Sequence, residues 1–235
     1  IRHLSSEDAP ISVGIIFDAS GSMYGKMDRS REAVLQFLRS SNPEDEFLLV
    51  AFNDRPKLLV DFTTSADEIQ DEIARVRPDG GTALLDALYL GLEQMKKARN
   101  ERKTLLVISD GGDNHSRYTA KEVWPVLRES DVQIYAMGIF DEAPRTQAER
   151  VGPDLLAFAT GITGGRTFAI RNLKKVGDAA AELSIELRNQ YLLAYRPDNL
   201  AHDGMWHKLT VQVTPPQHLP QLRVYAKAGY YAPAR

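Results

Sequence analysis

The stretch "ISVGIIFDASGSM" (11–23) joins two kinds of sequence with opposite demands on water. Its first eight residues are almost all apolar, the pattern of a strand covered on both faces in a parallel sheet. The remainder places a carboxyl and two hydroxyls, Asp18, Ser20 and Ser22, at alternate positions. A buried strand that ends this way points to a polar ligand held at its carboxyl end.

Outward from this strand, apolar runs and amphipathic runs alternate. "DRSREAVLQFLRSS" (28–41) carries Ala33, Val34, Phe37 and Leu38 on one helical face. "DEFLLVAFN" (45–53) and "PKLLVDF" (56–62), split by Asp54 and Arg55, predict a tight hairpin. "SADEIQDEIARV" (65–76) opens with Ser65 and Glu68 in capping-box spacing. "TALLDALYLGLEQMKKA" (82–98), "TAKEVWPVLRES" (119–130), a short helix at 152–162 and "LKKVGDAAAELSIELRN" (173–189) complete the expected helices. "KTLLVISD" (103–110), "VQIYAMGIF" (132–140) and "GGRTFAI" (164–170) read as further strands. This alternation predicts an α/β fold with a doubly wound, mostly parallel sheet flanked by helices.

The tail breaks the rhythm. Strands are expected at 191–197, 207–215 and 221–229, the last two with apolar and polar residues alternating, as in antiparallel strands with one wet face. The expected division is a lead-in at 1–10, the main domain at 11–189 and a C-terminal antiparallel β-extension at 190–235. Trp206, Tyr230 and Tyr231 read as packing residues of that extension.

Composition sets the outer limits. The 235 residues are 43% hydrophobic and 26% charged, with a net charge of −3, ample for one large core. No cluster of Lys and Arg stands out along the chain, so a nucleic-acid partner is not expected. The absence of cysteine excludes disulfides, thiolate catalysis and cysteine zinc sites, without fixing a compartment. No run approaches the roughly 18 apolar residues of a spanning helix. Residue 1 is Ile, so the expectation is a chain cropped from a longer one.

In an open parallel sheet, ligands collect beyond the carboxyl ends of the strands where the order reverses. Three segments reach that edge with oxygen donors: Asp18-Ala19-Ser20-Gly21-Ser22, Gly80-Gly81-Thr82 and Ser109-Asp110-Gly111-Gly112-Asp113. Carboxylates and hydroxyls are the donors of hard cations, so Mg²⁺, Mn²⁺ and Ca²⁺ all suit them.

D-x-S-x-S after a buried strand, a Thr after Gly-Gly and an S-D-G strand end together resemble the von Willebrand factor A family over roughly residues 8 to 190. The resemblance implies a metal-ion-dependent adhesion site, with Ser20, Ser22 and Thr82 giving hydroxyl oxygens to the cation. Asp18 and Asp110 would stand at the ion or one hydrogen bond behind it. The tail "KAGYYAP" is similar to a bacterial subfamily carrying a C-terminal β-extension, which implies an extracytoplasmic location. Two carboxylates and three neutral hydroxyls leave a dication attractive to one more anion. The expected partner is therefore a protein presenting an Asp or Glu carboxylate, and the expected role is binding rather than catalysis.

Other readings compete at particular residues. Asp18 and Ser20 can cap a helix, and Thr82 before "ALLDAL" is a good N-cap by itself. Asp113, Asn114 and His115 could hold a second metal or form a polar surface loop. Asp86 could support the site or lie on a wet helix face. Tyr24, Lys26 and Met27 are placed on the rim. "IIFDAS" loosely resembles haloacid-dehalogenase phosphatases, with Asp18 as nucleophile and Mg²⁺ beside it. That family wants a second acid two residues on, where Ser20 stands. Some von Willebrand factor A members instead serve as regulatory subunits beside ATPases.

Overall fold

The computed structural model describes residues 1–6, 9–144, 146–197, 202–214 and 222–234. Its elements are β1 (His3–Ser6), β2 (Ile11–Asp18), α1 (Met27–Arg39), β3 (Glu46–Phe52), β4 (Pro56–Thr63), α2 (Ala66–Arg75), α3 (Leu84–Met95) and β5 (Arg102–Ser109). They continue as α4 (Ala120–Glu129), β6 (Gln133–Ile139), α5 (Gln147–Thr163), β7 (Thr167–Ile170), α6 (Val176–Arg188), β8 (Tyr191–Ala194), β9 (Trp206–Lys208) and β10 (Gly229–Tyr231).

The central sheet has the order β4-β3-β2-β5-β6-β7, and only β4 runs antiparallel. The expected doubly wound α/β architecture is the observed one. β2, β3 and the inner part of β5 are buried throughout because helices cover both faces. Ile15, Phe17, Leu49 and Leu106 pack against α1, α2 and α6 through Val34, Phe37, Ile69 and Leu183. Ile16, Leu48, Val50 and Leu105 pack on the other face against α3, α4 and α5 through Leu88, Leu92, Val123 and Leu156. From β2 the chain moves to β3 on one side and later returns to β5 on the other. The carboxyl ends of β2 and β5 therefore flank the place where the winding reverses, and a crevice opens there.

Three expectations change. Residues 1–10 are not only a lead-in: β1 pairs antiparallel with β8, from His3 opposite Ala194 to Ser6 opposite Tyr191. The helix expected at 152–162 begins earlier, at Gln147, and passes through Gly152 and Pro153, with the Thr146 hydroxyl accepting from the Glu149 N–H. Gly-Pro reads as a helix start, but Pro153 is the seventh residue of α5, and the helix runs through it without the hydrogen bond that its missing N–H would have donated.

The third change concerns the tail strands. Among the described residues the last two tail strands pair with each other only at Trp206–Lys208 with Gly229–Tyr231, beside an isolated bridge between Asp203 and Ala234. Residues 215 and 221 of the expected strands lie outside the described residues. The alternating side chains gain little burial: Val213 is 52% and Leu222 48% exposed. Without a covering layer, an alternating pattern brings no apolar burial to hold a longer strand pair. The tail nonetheless docks on the domain. The Lys227 ammonium donates to the Ser130 carbonyl (2.6 Å), the Ala228 N–H to the Ile162 carbonyl (3.4 Å), and the Arg128 guanidinium lies 5.4 Å above Trp206. Trp206 packs edge-on to Tyr231, and Tyr230 stacks on His207.

Candidate functional site

Asp18 closes β2, fully buried, and both of its oxygens are committed. One accepts the Ser20 N–H (2.9 Å) and the other the Ser109 hydroxyl (2.5 Å), which ties the end of β2 to the end of β5. The loop then tightens into a single 3₁₀ turn, Gly21–Met23, anchored by the buried Met23 side chain. This turn brings the Ser20 and Ser22 hydroxyls within 3.1 Å of each other.

Backbone bonds stitch the second segment to the first. The Gly21 N–H donates to the Gly80 carbonyl (3.0 Å), and the Asp79 N–H to the Ala19 carbonyl (2.9 Å). Thr82 is buried, and it is not the helix cap: α3 is preceded by Ala83, with no side-chain cap. The Thr82 N–H donates to the Asn114 side-chain oxygen (2.9 Å), while its carbonyl accepts from the Asn114 and His115 N–H groups (3.0 Å each). Its backbone thus joins the second segment to the third.

Asp110 is buried at the head of the third segment. One oxygen accepts the Gly112 N–H (3.2 Å) and the other lies 2.7 Å from the Lys26 ammonium. Gly111 adopts φ +81°, and a Cβ there would run into the Gly152 carbonyl of α5. Only glycine accepts both that backbone and that approach.

Lys26 corrects the sequence reading. It was expected on the rim with Tyr24 and Met27, yet only Tyr24 is exposed (84%), while Lys26 and Met27 are buried. Besides Asp110, its ammonium faces Asp141, 3.2 Å away just beyond β6, and Arg29 also pairs with Asp141 at 3.2 Å. Burial pulls the Lys26 pKa down, but the hydrogen bond and charge of Asp110, with the charge of Asp141, outweigh it and raise the value overall. A lysine eight residues after Asp18 carries no sequence signal for burial; only the fold reveals it.

Two further readings change. Asp86 is buried, and one of its oxygens accepts the Arg117 and Tyr118 N–H groups (2.9 Å each), so it braces a loop instead of facing water or the three segments. Asp113 accepts the Leu85 N–H (3.0 Å) and the Ser116 hydroxyl (2.8 Å), capping α3 from outside.

Burial, and second the charge of Asp110, push the Asp18 carboxyl up to about 7, against hydrogen bonds from Ser109 and Ser20 that pull it down. The unfolded chain loses this proton near 3.8 and the folded chain near 7. Between those values the folded state holds the extra proton, so stability falls as pH rises. In EDTA, the urea midpoint is expected to drop between pH 5 and pH 7.5, a loss of a few kcal/mol that Asp18→Asn flattens. A drop of the same size in the variant would contradict this.

Two buried carboxylates with too little positive charge between them, beside paired hydroxyls, suit a hard cation. Among the described residues no three His, Cys, Asp or Glu side chains converge into a cage. The side-chain oxygens that the structure brings together at the end of β2 are the Asp18 carboxyl and the Ser20, Ser22 and Ser109 hydroxyls, donors of the hard-cation type.

Residues 13–112 match the family model described as the von Willebrand factor type A domain, and the sheet and its helices have the fold of that class. Domains of this class are generally non-enzymatic modules of adhesion and protein interaction. By sequence the chain is similar to inter-alpha-trypsin inhibitor heavy chain H4 of Bos taurus, 29% identical over 116 residues, covering 44% of this chain and 13% of that protein. It is also similar to an uncharacterized protein of Synechocystis, 26% identical over 196 residues, covering 79% of this chain and 47% of the relative. The chain therefore spans less than half the length of either. Among solved structures, von Willebrand factor type A from Catenulispora acidiphila superposes with a TM-score of 0.63 at 19% identity, covering 78% of this chain and 43% of that one. The vWF domain of the type V pili tip protein Mfa5 from Porphyromonas gingivalis gives 0.62 at 12% identity, covering 83% of this chain and all of that one. Among the described residues no helix is long and apolar enough to cross a membrane.

Proposed function

We propose that the chain is a non-enzymatic protein-binding domain whose binding depends on a divalent cation. Ser20, Ser22 and Thr82 are the hydroxyl donors, and Asp18 and Asp110 supply the negative charge beside them. The observation that carries this reading is the buried Asp18 carboxylate, held by Ser20 and Ser109 and raised to about 7 partly by the nearby Asp110. Lys26 offsets one of these charges, and the other is costly to bury without a further cation. A bound cation would act as a Lewis acid that accepts one carboxylate from an Asp or Glu of a partner protein.

The chain's own groups set the strength of that attraction. Asp18 and Asp110 carry two negative charges, and Lys26 offsets one of them. A dication among these three side chains therefore keeps a net positive field toward the crevice mouth. Asp18 also orients Ser20 through its N–H, so the hydroxyl pair is held in place before any ligand arrives.

Residues 11–189 are taken as the binding domain and 190–235 as a β-extension docked on it, like the bacterial subfamily with that extension. A place outside the cytoplasm of a bacterium is the companion proposal. It is supported by the likeness of the tail and by fold neighbours that are a pili tip protein and a pilus adhesin.

The deciding experiment is calorimetric titration of EDTA-treated protein with Mg²⁺ and with Mn²⁺. One site is expected, weakened at least about 100-fold by Ser20→Ala/Ser22→Ala, since two of the donors are lost. Unchanged binding in that variant, or no binding in the parent, would remove the proposal.

A further inference from the structure

Beside the first loop, on the hairpin side, the sheet edge opens into a concavity of 290 Å³. Ala19, which sits between Asp18 and Ser20, forms part of its wall. The rest of the rim includes Arg55 and Lys57 from the turn and start of β4, with Glu72, Arg75 and Arg77 from the end of α2. Four cations thus face one carboxylate, a local excess of three positive charges in a chain whose net charge is −3.

These charges are not spent internally. Arg75 pairs with Glu72, but among the described residues Arg55, Lys57 and Arg77 have no ion-pair partner. Arg77 turns one nitrogen to the Ala74 and Val76 carbonyls (3.0 and 3.3 Å), which fixes its stem at the end of α2. Neighbouring Asp54 accepts the Gly81 N–H (2.6 Å), and the Ala83 N–H donates to the Asn53 carbonyl (2.9 Å). The hairpin turn is therefore locked to the segment that carries Thr82, and the cations keep a fixed place relative to the loops. Like charges clustered at a fixed distance repel one another until an anion enters.

We propose that this concavity takes the acidic side chains that flank the partner's metal-binding residue, so that the partner presents an acidic stretch of polypeptide and not a lone Asp or Glu. This rests on the cation-dependent reading above. Ala19 is shared by loop and pocket, so a segment whose carboxylate enters the crevice places its next residues over Arg55 and Lys57. Guanidinium groups pair with carboxylates two bonds at a time, which turns the patch into a selector as well as an attractor. A nucleic acid fits less well. The only aromatic ring in the wall, Phe52, is buried and offers no face for a base, and the patch is too short to follow a phosphate backbone.

The test uses two fluorescein-labelled peptides, one with an Asp followed by four Glu, the other with an Asp followed by four Gln, in Mg²⁺ and in EDTA. Fluorescence anisotropy at low salt is expected to give the Glu peptide at least about tenfold tighter binding in Mg²⁺. Arg55→Glu/Lys57→Glu, at two exposed positions, is expected to abolish that preference while the Gln peptide binds as before. Equal affinities for the two peptides, no binding of either, or a preference that survives the charge reversal would overturn the proposal. So would a labelled single-stranded oligonucleotide that competes with the Glu peptide as an equal. A preference that is lost on charge reversal but unaffected by EDTA and by Ser20→Ala/Ser22→Ala would keep the pocket and discard the cation.

Discussion

Replacing Lys26 by methionine is expected to destabilise the cation-free domain by about 3 kcal/mol, and to make the same domain bind Mg²⁺ at least about tenfold more tightly. The two effects share one cause. Lys26 and Asp110 are both 3% exposed, 2.7 Å apart, so removing the ammonium leaves a buried carboxylate without its partner. Breaking such a pair costs more than the pair contributes, because the stranded charge keeps its desolvation penalty. A divalent ion placed nearby supplies the missing positive charge, so the penalty in the free state becomes a gain on binding. Methionine matches the lysine stem and keeps the packing around α1. Urea unfolding in EDTA and in Mg²⁺ would show it: the variant's midpoint falls in EDTA and recovers in excess Mg²⁺. An EDTA midpoint equal to that of the parent chain would mean that the ammonium contributes nothing there. The same substitution is expected to weaken partner binding, since the net field at the crevice mouth falls by one charge.

Gly111→Ala is the second large effect, with an expected loss of at least about 3 kcal/mol, equivalent to roughly 6–12 °C in Tm for a chain of this size. The left-handed backbone at φ +81° is strained for alanine, and the new methyl meets the carbonyl of Gly152. Gly152→Ala meets the Asp110 carbonyl from the other side and is expected to act alike. The control is Gly161→Ala. That glycine lies in α5 with open space around it, and alanine there is expected to be neutral or to stabilise by about 0.5–1 kcal/mol. Thermal melts of the three variants check the series. A Gly111→Ala melt that coincides with the control would show that α5 yields to the methyl, and that the close approach is not a constraint.

The central sheet was legible because burial on both faces leaves a simple signature. Runs such as "ISVGIIFD" and "KTLLVISD" have nowhere else to go, and the helices between them show one apolar stripe each. The three oxygen-bearing segments were legible as well, since each follows the carboxyl end of a strand or opens a helix. Lys26 was not. Its burial comes from Asp110 and Asp141, 84 and 115 residues further along the chain, and no local pattern encodes such a meeting. The cap alternative for Thr82 and the helix start at Gly152 failed for a related reason. Local rules suggest a cap for the first and a helix start for the second, but Asn114 claims the Thr82 backbone and the Gly111 turn claims the space at Gly152. The tail misled in the opposite sense. Alternation at Leu209, Val211 and Val213 describes a strand with one covered face, and what decides pairing is the cover, which alternation does not encode.

The bonds Gly21 to Gly80, Asp79 to Ala19 and Asn114 to Thr82 have a mechanical consequence. Three loops separated by tens of residues cannot fluctuate independently, because opening any one breaks amide bonds to the next. Native-state hydrogen exchange should find these amides leaving protection together, as one cooperative unit. A ligand that docks on such a rim finds the ordering entropy already spent during folding, so more of its contact energy appears as affinity.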